Sequence, residues 1–487
     1  MEKQGVFKKS IGGGKWMLAG TITQRILSIA SFLILARLLT PEDFGVMAII
    51  LIIPPLLDLL FTIDFESAII QRQIEPRNYF DTIWTINVIR SGFIFLLIFF
   101  AGPWVASFFN AESATLAIRM GGLFVFISGF SNVAQIIFFK ELDFKKIFIR
   151  DVVSRTAYTV TAIGFAWYLK SFWALFLANI VLYATSLIVV YVLLPYRPHF
   201  SFSIKKLKTL LTYSKWLYGQ GIFGEFASTV ENSIIGKLLG AGDLGLFTRA
   251  KALAITPTAP LVSIVSKVSF PAYTRIQEST EKVKDGFLKS MDVLFFFAIP
   301  FPFLAILGGE RLIQIVLGTS WVVLTPLFQI LSLSMIFQII AILSGPLFNA
   351  LGHPNIQLKI SIIQFILLIA FLLTLTPLYS AIGAALGILT TSVIVSITVL
   401  WSIKKILDAP WKDFLSPLII PLVSSLVAMG IFYYIFQKET IISDILFLFL
   451  LIFFGLIYLG MVWLFDATIA RGPYQTFRSV ARELIQR

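Results

Sequence analysis

The sequence predicts an all-α integral membrane protein with about fourteen transmembrane helices, arranged as two parallel, pseudo-symmetric six-helix lobes and a C-terminal helix pair. Three observations predict this fold. Hydrophobic residues make up 58% of the chain and charged residues only 13%, against about 25% charged residues in ordinary soluble domains. Long apolar segments recur from one end of the 487 residues to the other. A set of short motifs also returns, without a gap, in the second half of the chain.

The apolar segments set the number and direction of the spans. A spanning helix needs about 20 largely apolar residues, and Lys and Arg collect on the cytoplasmic side. With a cytoplasmic N-terminus, 28 of the 39 Lys and Arg residues lie at cytoplasmic ends and loops, five lie outside and six lie within spans. Both termini are therefore predicted to be cytoplasmic. The predicted spans are residues 15–38, 43–63, 80–101, 114–138, 148–169, 172–194, 215–239, 244–266, 287–308, 323–349, 356–376, 380–402, 414–436 and 444–465.

The internal repeat divides these spans into lobes. A Lys-Trp pair at 15–16 returns at 215–216, and an Asp-x-Gly turn at 43–45 returns at 243–245. The copies begin at the first and seventh spans, an even number of crossings apart, so both enter the membrane in the same direction. The expected domains are an N-terminal lobe over residues 1–200, a C-terminal lobe over residues 201–405, and a helix pair with a basic cytoplasmic tail over residues 406–487.

Composition also excludes several classes of function. The chain has no cysteine, which excludes disulfides, thiolate metal sites and cysteine nucleophiles. Its two histidines, His199 and His353, lie beside prolines and have no ligand or triad context. The loops are too short for a soluble catalytic module, no nucleotide-binding P-loop occurs, and the first apolar segment runs into Arg37 without a cleavage site. We therefore expect no enzymatic activity, no cofactor, no metal, no signal peptide and no nucleic-acid partner.

Charged residues inside the predicted spans are the candidate site. Burying an ionised side chain in a span costs about 3 kcal/mol or more, so such residues face a cavity or a partner. Cations outnumber anions near the middle of the spans, which favours an anionic substrate, and the planar fork of arginine suits phosphate. Arg119 and Arg155 lie near span ends, so their heads also fit a position among lipid headgroups. The predicted substrate-binding residues are Arg25, Arg90, Arg249, Lys251, Arg119 and Arg155.

Acidic residues in the spans are candidates for ion coupling. Glu225 stands in the second repeat where Arg25 stands in the first, and both fall on polar helix faces that would line a shared cavity. Glu225, together with Glu231 and Asp151, is predicted to bind the coupling ion, because desolvation raises the pKa of a carboxylate. Structural roles fit as well: Arg25 and Glu225 as an ion pair between helices, and Glu231 in a packing pair.

Two further features concern helix shape. Pro54 and Pro55 in the second span, and Pro257 and Pro260 in the eighth, interrupt backbone hydrogen bonding and are predicted to act as hinges. A static kink is the alternative. Gly383 and Gly387 form a face of small residues on one helix, which predicts close helix packing.

Three stretches carry a family resemblance. They are ARLLTPEDFGVMAI at 36–49, GKLLGAGDLGLFTRAKAL at 236–253 and SFPAYTRIQE at 269–278. They resemble the polysaccharide transporter branch of the multidrug/oligosaccharidyl-lipid/polysaccharide exporter superfamily, in particular Wzx flippases of the WzxC/TuaB type. The resemblance covers essentially the whole chain. It implies a flippase that exports an undecaprenyl-diphosphate-linked oligosaccharide to the outer leaflet by alternating access, for O-antigen, exopolysaccharide, capsule or teichuronic acid assembly.

The resemblance also implies surroundings and partners. They are the bacterial cytoplasmic membrane and its lipids, the lipid-linked glycan, H⁺ or Na⁺ as coupling ion, and a polymerase and glycosyltransferases of the same pathway. Three alternatives stay open. A peptidoglycan lipid-precursor flippase shares the fold and the anionic lipid. A multidrug exporter would favour an acidic cavity, and an integral membrane polymerase would need a large loop with carboxylate or arginine motifs.

Overall fold

The protein is helical throughout the part of the chain that the structure describes. The structure is a computed structural model and describes residues 2–61, 77, 79–140, 143–203, 218–438 and 444–468. Every regular element in these ranges is an α-helix or a short 3₁₀ helix. The α-helices are α1 (Glu2–Leu38), α2 (Pro41–Ile50), α3 (Ile53–Phe61), α4 (Phe80–Phe108), α5 (Thr115–Met120), α6 (Leu123–Gly129), α7 (Ile136–Lys140), α8 (Phe144–Leu169), α9 (Trp173–Leu193), α10 (Tyr218–Ile255), α11 (Ala259–Ile276), α12 (Thr280–Ala298), α13 (Pro300–Leu317), α14 (Thr325–Ala350), α15 (Pro354–Leu407), α16 (Trp411–Lys438) and α17 (Asp444–Thr468).

Many of these helices have membrane length. Within the described ranges, nine helical segments are long and apolar enough to cross a membrane, or ten if the bent pair Phe226–Ile255 and Ala259–Ile276 forms one span. The sequence predicted about fourteen spans. Helix α15 is 54 residues long and contains two of them, 356–376 and 380–402. Predicted span 114–138 is divided among α5, α6 and α7. The all-helical membrane fold is therefore confirmed, while the number of spans stays a prediction.

Helix α15 is two helices that fold back on each other. The backbone leaves helical geometry at Ser380, where φ is 52° and ψ is −137°. A methyl group placed on Gly383 would overlap the carbonyl oxygen of Leu375 and lie 3.1 Å from the Cα atom of Thr376. Only a residue without a side chain allows this approach of two backbones. The close packing predicted for the small face at 383–387 is confirmed at Gly383.

The first Asp-x-Gly turn is the capped start of a helix. The Thr40 hydroxyl accepts a hydrogen bond from the Asp43 amide at 3.3 Å, and the Asp43 carboxylate accepts one from the Thr40 amide at 2.9 Å. This reciprocal pair satisfies backbone donors at the helix start, and Pro41 suits the first helical position. The other oxygen of the Asp43 carboxylate accepts a hydrogen bond from the Phe172 amide at 2.8 Å. Asp43 therefore fixes the start of α2 and joins it to the residue before α9.

Backbone contacts divide the chain into two compact units, residues 1–245 and 246–487. In the first unit, α8 packs along both α1 and α9. Phe80, Trp84 and Phe138 are buried together beneath the end of α9, and the Trp84 indole donates a hydrogen bond to the Phe130 carbonyl at 3.2 Å.

The second unit has a larger aromatic core and a packed C-terminal helix pair. Phe287 and Phe414 are fully buried, and they join α12 to α16. At the end of that contact, the Lys284 ammonium lies 3.2 Å from the Asp413 carboxylate. Helix α17 contacts α12 as well, because the Tyr458 hydroxyl donates a hydrogen bond to the Phe296 carbonyl at 2.6 Å.

The two copies of the repeat meet inside the first unit. A methyl group on Gly45 would overlap the carbonyl oxygen of Ala241, and one on Gly245 would overlap the carbonyl oxygen of Pro41. The methyl group on Gly245 would also lie 2.9 Å from the Gly45 amide nitrogen. Because Pro41 and Gly45 are the repeat equivalents of Ala241 and Gly245, the contact is reciprocal. We refer to it below as the glycine crossing.

A glycine substitution tests the fold-back in α15. We expect Gly383→Ala to lower the melting temperature of the purified protein, because the methyl group must displace backbone atoms of Leu375 and Thr376. The matched control is Gly430→Ala, since nothing lies within 4 Å of a methyl group there. Alanine is favoured over glycine in helices by up to about 1 kcal/mol, so the control should match or exceed the wild type. Equal melting temperatures for both variants would contradict the close contact at Gly383.

Candidate functional site

The predicted site residues fall on several helices. Glu231 is buried in α10, and Glu225 lies on the same helix with its side chain outside the described residues. The proposed Arg25–Glu225 pair is therefore outside the described part as well. Arg249 and Lys251 belong to the second unit, near the end of α10. The first unit holds Arg25 on α1, Arg90 on α4, Arg119 on α5, and Asp151 and Arg155 on α8.

A polar network crosses from α1 to α8 beside Arg25. The Gln24 amide donates a hydrogen bond to the Asp151 carboxylate at 3.4 Å, and the Arg150 guanidinium lies 2.7 Å from the same carboxylate. Arg150 also donates to the Gln135 side-chain oxygen at 3.0 Å. Arg25 itself is half-buried in the next position of α1. The network places Asp151 next to α1, which suits the predicted role of Asp151 in ion coupling. The negative charge of Asp151 is, however, compensated by Arg150.

The parts that Gln24 and Arg150 play in this network are not evident from the sequence. Arg150 precedes most of the apolar part of α8 and therefore counts with the cytoplasmic ends. Its place next to Asp151 was the available signal, since a cation beside a membrane carboxylate lowers the cost of burying both. Gln24 carries no charge and gave no comparable signal.

Arg90 is held by a carboxylate. Its guanidinium lies 3.1 Å from the Asp58 carboxylate and donates a hydrogen bond to the Asp58 carbonyl at 3.2 Å. The arginine side chain is 15% exposed and the aspartate side chain 40%. One residue thus supplies both an opposite charge and a backbone acceptor, and the pair joins α3 to α4.

Two other arginines lie against aromatic rings. The Arg155 guanidinium is 4.6 Å from the centre of the Tyr158 ring, and that of Arg119 is 5.5 Å from the Phe99 ring. In each arginine the Nε atom is buried without a hydrogen-bond partner in the described part of the chain. Gly102 makes room for Arg119, because a methyl group there would overlap its Cγ atom. A ring face stabilises a cation without neutralising it, so these guanidiniums keep hydrogen-bonding capacity.

Arg249 and Lys251 cannot line one wall together. They are two residues apart on α10, and at 3.6 residues per turn that separation is about 200° around the helix axis. One of the two can face a given cavity, and the other faces away from it.

The four prolines lie at helix breaks. Pro54 and Pro55 stand in the first turn of α3, just after the interruption between α2 and α3. Pro257 lies in the turn between α10 and α11, Pro260 lies at the start of α11, and these two helices are bent by 58°. The placement suits either a hinge or a static kink, since both need a broken hydrogen-bond ladder.

Comparison with known proteins places the chain in a family. The family described as "Polysaccharide biosynthesis protein" matches residues 34–326. The lipopolysaccharide biosynthesis protein WzxC of Escherichia coli (strain K12) is 25% identical over 438 residues, which cover 88% of this chain and 87% of that protein. The teichuronic acid biosynthesis protein TuaB of Bacillus subtilis (strain 168) is 20% identical over 356 residues, which cover 72% and 73%.

Solved structures show the same fold. The lipid II flippase MurJ in an inward closed conformation aligns with a TM-score of 0.73 at 15% identity, covering 93% of this chain and 99% of MurJ. An inward-facing multidrug transporter of the MATE family, in the MOP superfamily, aligns with a TM-score of 0.60 at 17% identity, covering 79% and 94%. The fold is thus that of the MurJ and MATE transporters. The family match covers more than half of the sequence, so this chain belongs to the polysaccharide biosynthesis protein family, as a multi-pass protein of the bacterial inner membrane.

Proposed function

We propose that this protein is a flippase that moves an undecaprenyl-diphosphate-linked oligosaccharide from the cytoplasmic to the outer leaflet. The product would serve assembly of an envelope polysaccharide such as O-antigen, exopolysaccharide, capsule or teichuronic acid. The observation that carries the proposal is the set of arginines held inside membrane helices of a polysaccharide-family fold. Lipopolysaccharide and teichuronic acid in the names of WzxC and TuaB support a glycan cargo. The protein transports without a covalent step, so no catalytic residue is assigned.

Recognition of the cargo falls to the arginines that keep hydrogen-bonding capacity. A diphosphate offers paired oxygens, which a guanidinium binds through two parallel hydrogen bonds. Arg155 lies on α8, which packs along α1, the helix that carries Arg25. We assign the diphosphate or acidic sugars to Arg155, which keeps this capacity, and to Arg25, which is half-buried on the neighbouring helix. Arg119, Arg249 and Lys251 stay candidates for anion binding.

Substitution of these arginines tests the transport proposal. We expect Arg25→Ala and Arg155→Ala each to lower flipping of an undecaprenyl-diphosphate-linked oligosaccharide at least about tenfold in proteoliposomes, since a charged hydrogen bond contributes about 1.5–3 kcal/mol. Protection of the glycan from a membrane-impermeant glycosidase gives the rate. The lysine variants should keep part of the activity, because charge survives without the fork.

The control is Lys146→Ala, because Lys146 pairs with Asp143 at 3.1 Å at the start of α8 and takes no part in the proposed binding. It should flip at the wild-type rate. Parallel vesicles with lipid II and with a cationic drug test the alternatives. Normal flipping by both arginine variants would contradict the proposed anion site. Transport of lipid II or of the drug, without transport of the oligosaccharide, would show that the cargo is a different one.

Substitutions at Arg90 and Asp58 test whether this ion pair contributes to stability. Because Asp58 binds the Arg90 guanidinium, we expect Arg90→Gln and Asp58→Asn each to lower the melting temperature by leaving one charge uncompensated. The double variant should be more stable than the sum of the two losses predicts. Additive losses would show that the pair contributes nothing, and lost flipping at an unchanged melting temperature would make Arg90 a substrate residue instead.

Energy for export would come from an ion gradient. We propose H⁺ or Na⁺ as the coupling ion, taken up by Glu225, Glu231 or Asp151, since a membrane carboxylate can gain or lose charge in each cycle. Cargo binding to Arg25 would change the charge that faces Glu225. Glycosyltransferases and a polymerase of the same pathway would supply the lipid-linked glycan and consume it.

The glycine crossing suits alternating access. With fourteen spans and cytoplasmic termini, it lies at the outer ends of the first and seventh spans. We propose that the two backbones are in contact at the glycine crossing when the outer side of the protein is closed. They would move apart when that side opens, with bending at the prolines at the starts of α3 and α11. Support comes from its construction: backbone touches backbone there, and the neighbours Phe44 and Leu244 are buried.

Alanine at the crossing tests this step. We expect Gly45→Ala and Gly245→Ala to hold the outer ends apart and to lower flipping at least about tenfold, because displacing packed backbone costs a few kcal/mol. Gly242→Ala is the matched control, since its methyl group meets nothing within 4 Å.

Labelling measures the opening directly. A single cysteine at Leu244, which is fully buried, reports opening through its reaction with a membrane-impermeant maleimide, and the chain has no other cysteine. Labelling should rise several-fold in the Gly45→Ala background and stay low with Gly242→Ala. Unchanged labelling together with a normal flipping rate would contradict the proposal that the glycine crossing closes the outer side.

A further inference from the structure

A cleft of about 480 Å³ lies at the C-terminal end of α9, and its described lining contains none of the charged residues discussed so far. Leu187, Ile188 and Val192 form its apolar wall, and Arg197 stands at its edge. Ile188 is 61% exposed and Val192 77%, so this wall opens outward from the helices of the first unit. Helix α9 corresponds to the sixth predicted span, whose C-terminal end is predicted to be cytoplasmic. In that orientation the cleft would face lipid at the level of the inner leaflet.

Arg197 is held in place with one edge left for a ligand. Its NH1 group donates hydrogen bonds to the carbonyls of Leu194 at 2.6 Å and Tyr196 at 3.1 Å. The guanidinium also lies 5.6 Å from the centre of the Tyr191 ring, and the Tyr191 hydroxyl donates to the Phe130 carbonyl at 3.0 Å. These bonds use both donors of NH1. Among the described residues, none accepts a hydrogen bond from Nε or NH2, and these two groups form the edge of guanidinium that binds phosphate oxygens in parallel.

The loop that carries Arg197 is itself fixed. The Asp81 carboxylate accepts hydrogen bonds from the Tyr196 hydroxyl and, at 2.9 Å, from the His199 amide. The Asn132 side-chain amide donates to the Tyr196 carbonyl at 2.8 Å. Burial raises the pKa of the Tyr196 phenol, and its hydrogen bond to Asp81 raises that pKa further, so the phenol stays a donor. Asp81, at the start of α4 beside this loop, thus has its negative charge engaged by two donors.

We propose that this cleft binds an anionic phospholipid of the cytoplasmic leaflet, with its phosphate on Arg197 and an acyl chain along Ile188 and Val192. A cation beside an aromatic ring at a span end is the usual environment of a lipid headgroup. Arg197 lies beyond the end of α9 and stays at one surface, so it suits a resident lipid rather than a cargo that crosses. This assignment goes beyond flipping, because the bound lipid is not transported.

A second cleft in the same unit offers a contrast. It measures about 390 Å³ and runs beside Trp104 and Phe108, with Thr229 and Ser233 as the polar residues of its lining. None of the described residues in that lining is charged. A phosphate would find hydroxyl groups there but no cation, so selectivity for anionic lipid is expected only at Arg197.

The test is lipid binding by the purified full-length protein. Native mass spectrometry with phosphatidylglycerol and with phosphatidylcholine gives the selectivity, and thermal stabilisation by each lipid gives an independent reading. Arg197→Ala should weaken phosphatidylglycerol binding at least about tenfold, and Arg197→Lys should weaken it less, because charge remains without the fork. Lys146→Ala is the matched control, since Lys146 also lies near an aromatic ring, 5.3 Å from Phe138, but is paired with Asp143.

A second variant separates the lipid site from loss of the loop. Val192→Trp fills the cleft and leaves Arg197 unchanged, so it should displace the acyl chain and lower phosphatidylglycerol retention. Equal binding of both phospholipids, or unchanged binding in Arg197→Ala and Val192→Trp, would overturn the proposal. So would binding of undecaprenyl phosphate without phosphatidylglycerol, because the cleft would then belong to the cargo. Flipping by Arg25→Ala is measured separately and fails or succeeds on its own.

Discussion

The cost of placing charge among apolar helices governs the first unit. Four charged side chains there show different local solutions to that cost. Arg90 has a carboxylate and a carbonyl of one residue, and Asp151 has an arginine and an amide. Arg119 and Arg155 have aromatic rings. These solutions differ in the hydrogen-bond donors that stay available. An ion pair uses the donors of the guanidinium, whereas an aromatic ring leaves those donors for another acceptor.

This difference bears on function. A phosphate that approaches Arg90 must compete with Asp58, while for Arg155 the described part of the chain offers a ring face and no carboxylate. Compensated charges can therefore form the frame of a cavity, and ring-supported charges can bind its contents. A helix with many such residues is also less apolar than its neighbours, which is why α8, at 26 residues, is absent from the segments apolar enough to count as spans.

The sequence was informative about features that depend on residues close together in the chain. Apolar segment length predicted the helices, and the small face at Gly383 predicted a close contact that the structure contains. It was less informative where residues far apart meet. Nothing local to Arg90 indicated that Asp58 would pair with it, because the choice of partner depends on how α3 packs against α4. Breaks in the span at 114–138 were missed for a related reason: hydropathy measures composition and is insensitive to a change of helix direction. The site residues themselves stay predictions, since their ligands are not defined by the protein alone.

The reciprocity of the glycine crossing has a consequence for the history of the chain. A contact in which residue i meets j and j meets i is the isologous contact of a two-fold homodimer. In such a dimer both subunits have the same sequence, so the position of Arg25 would be an arginine in each copy. Joining two copies in one polypeptide removes that restriction. The crossing keeps glycine in both halves, where the backbone requires it, while Glu225 now stands where the first half has Arg25. Joining two copies in one chain thus allows equivalent positions to carry opposite charges while the contact keeps its glycines.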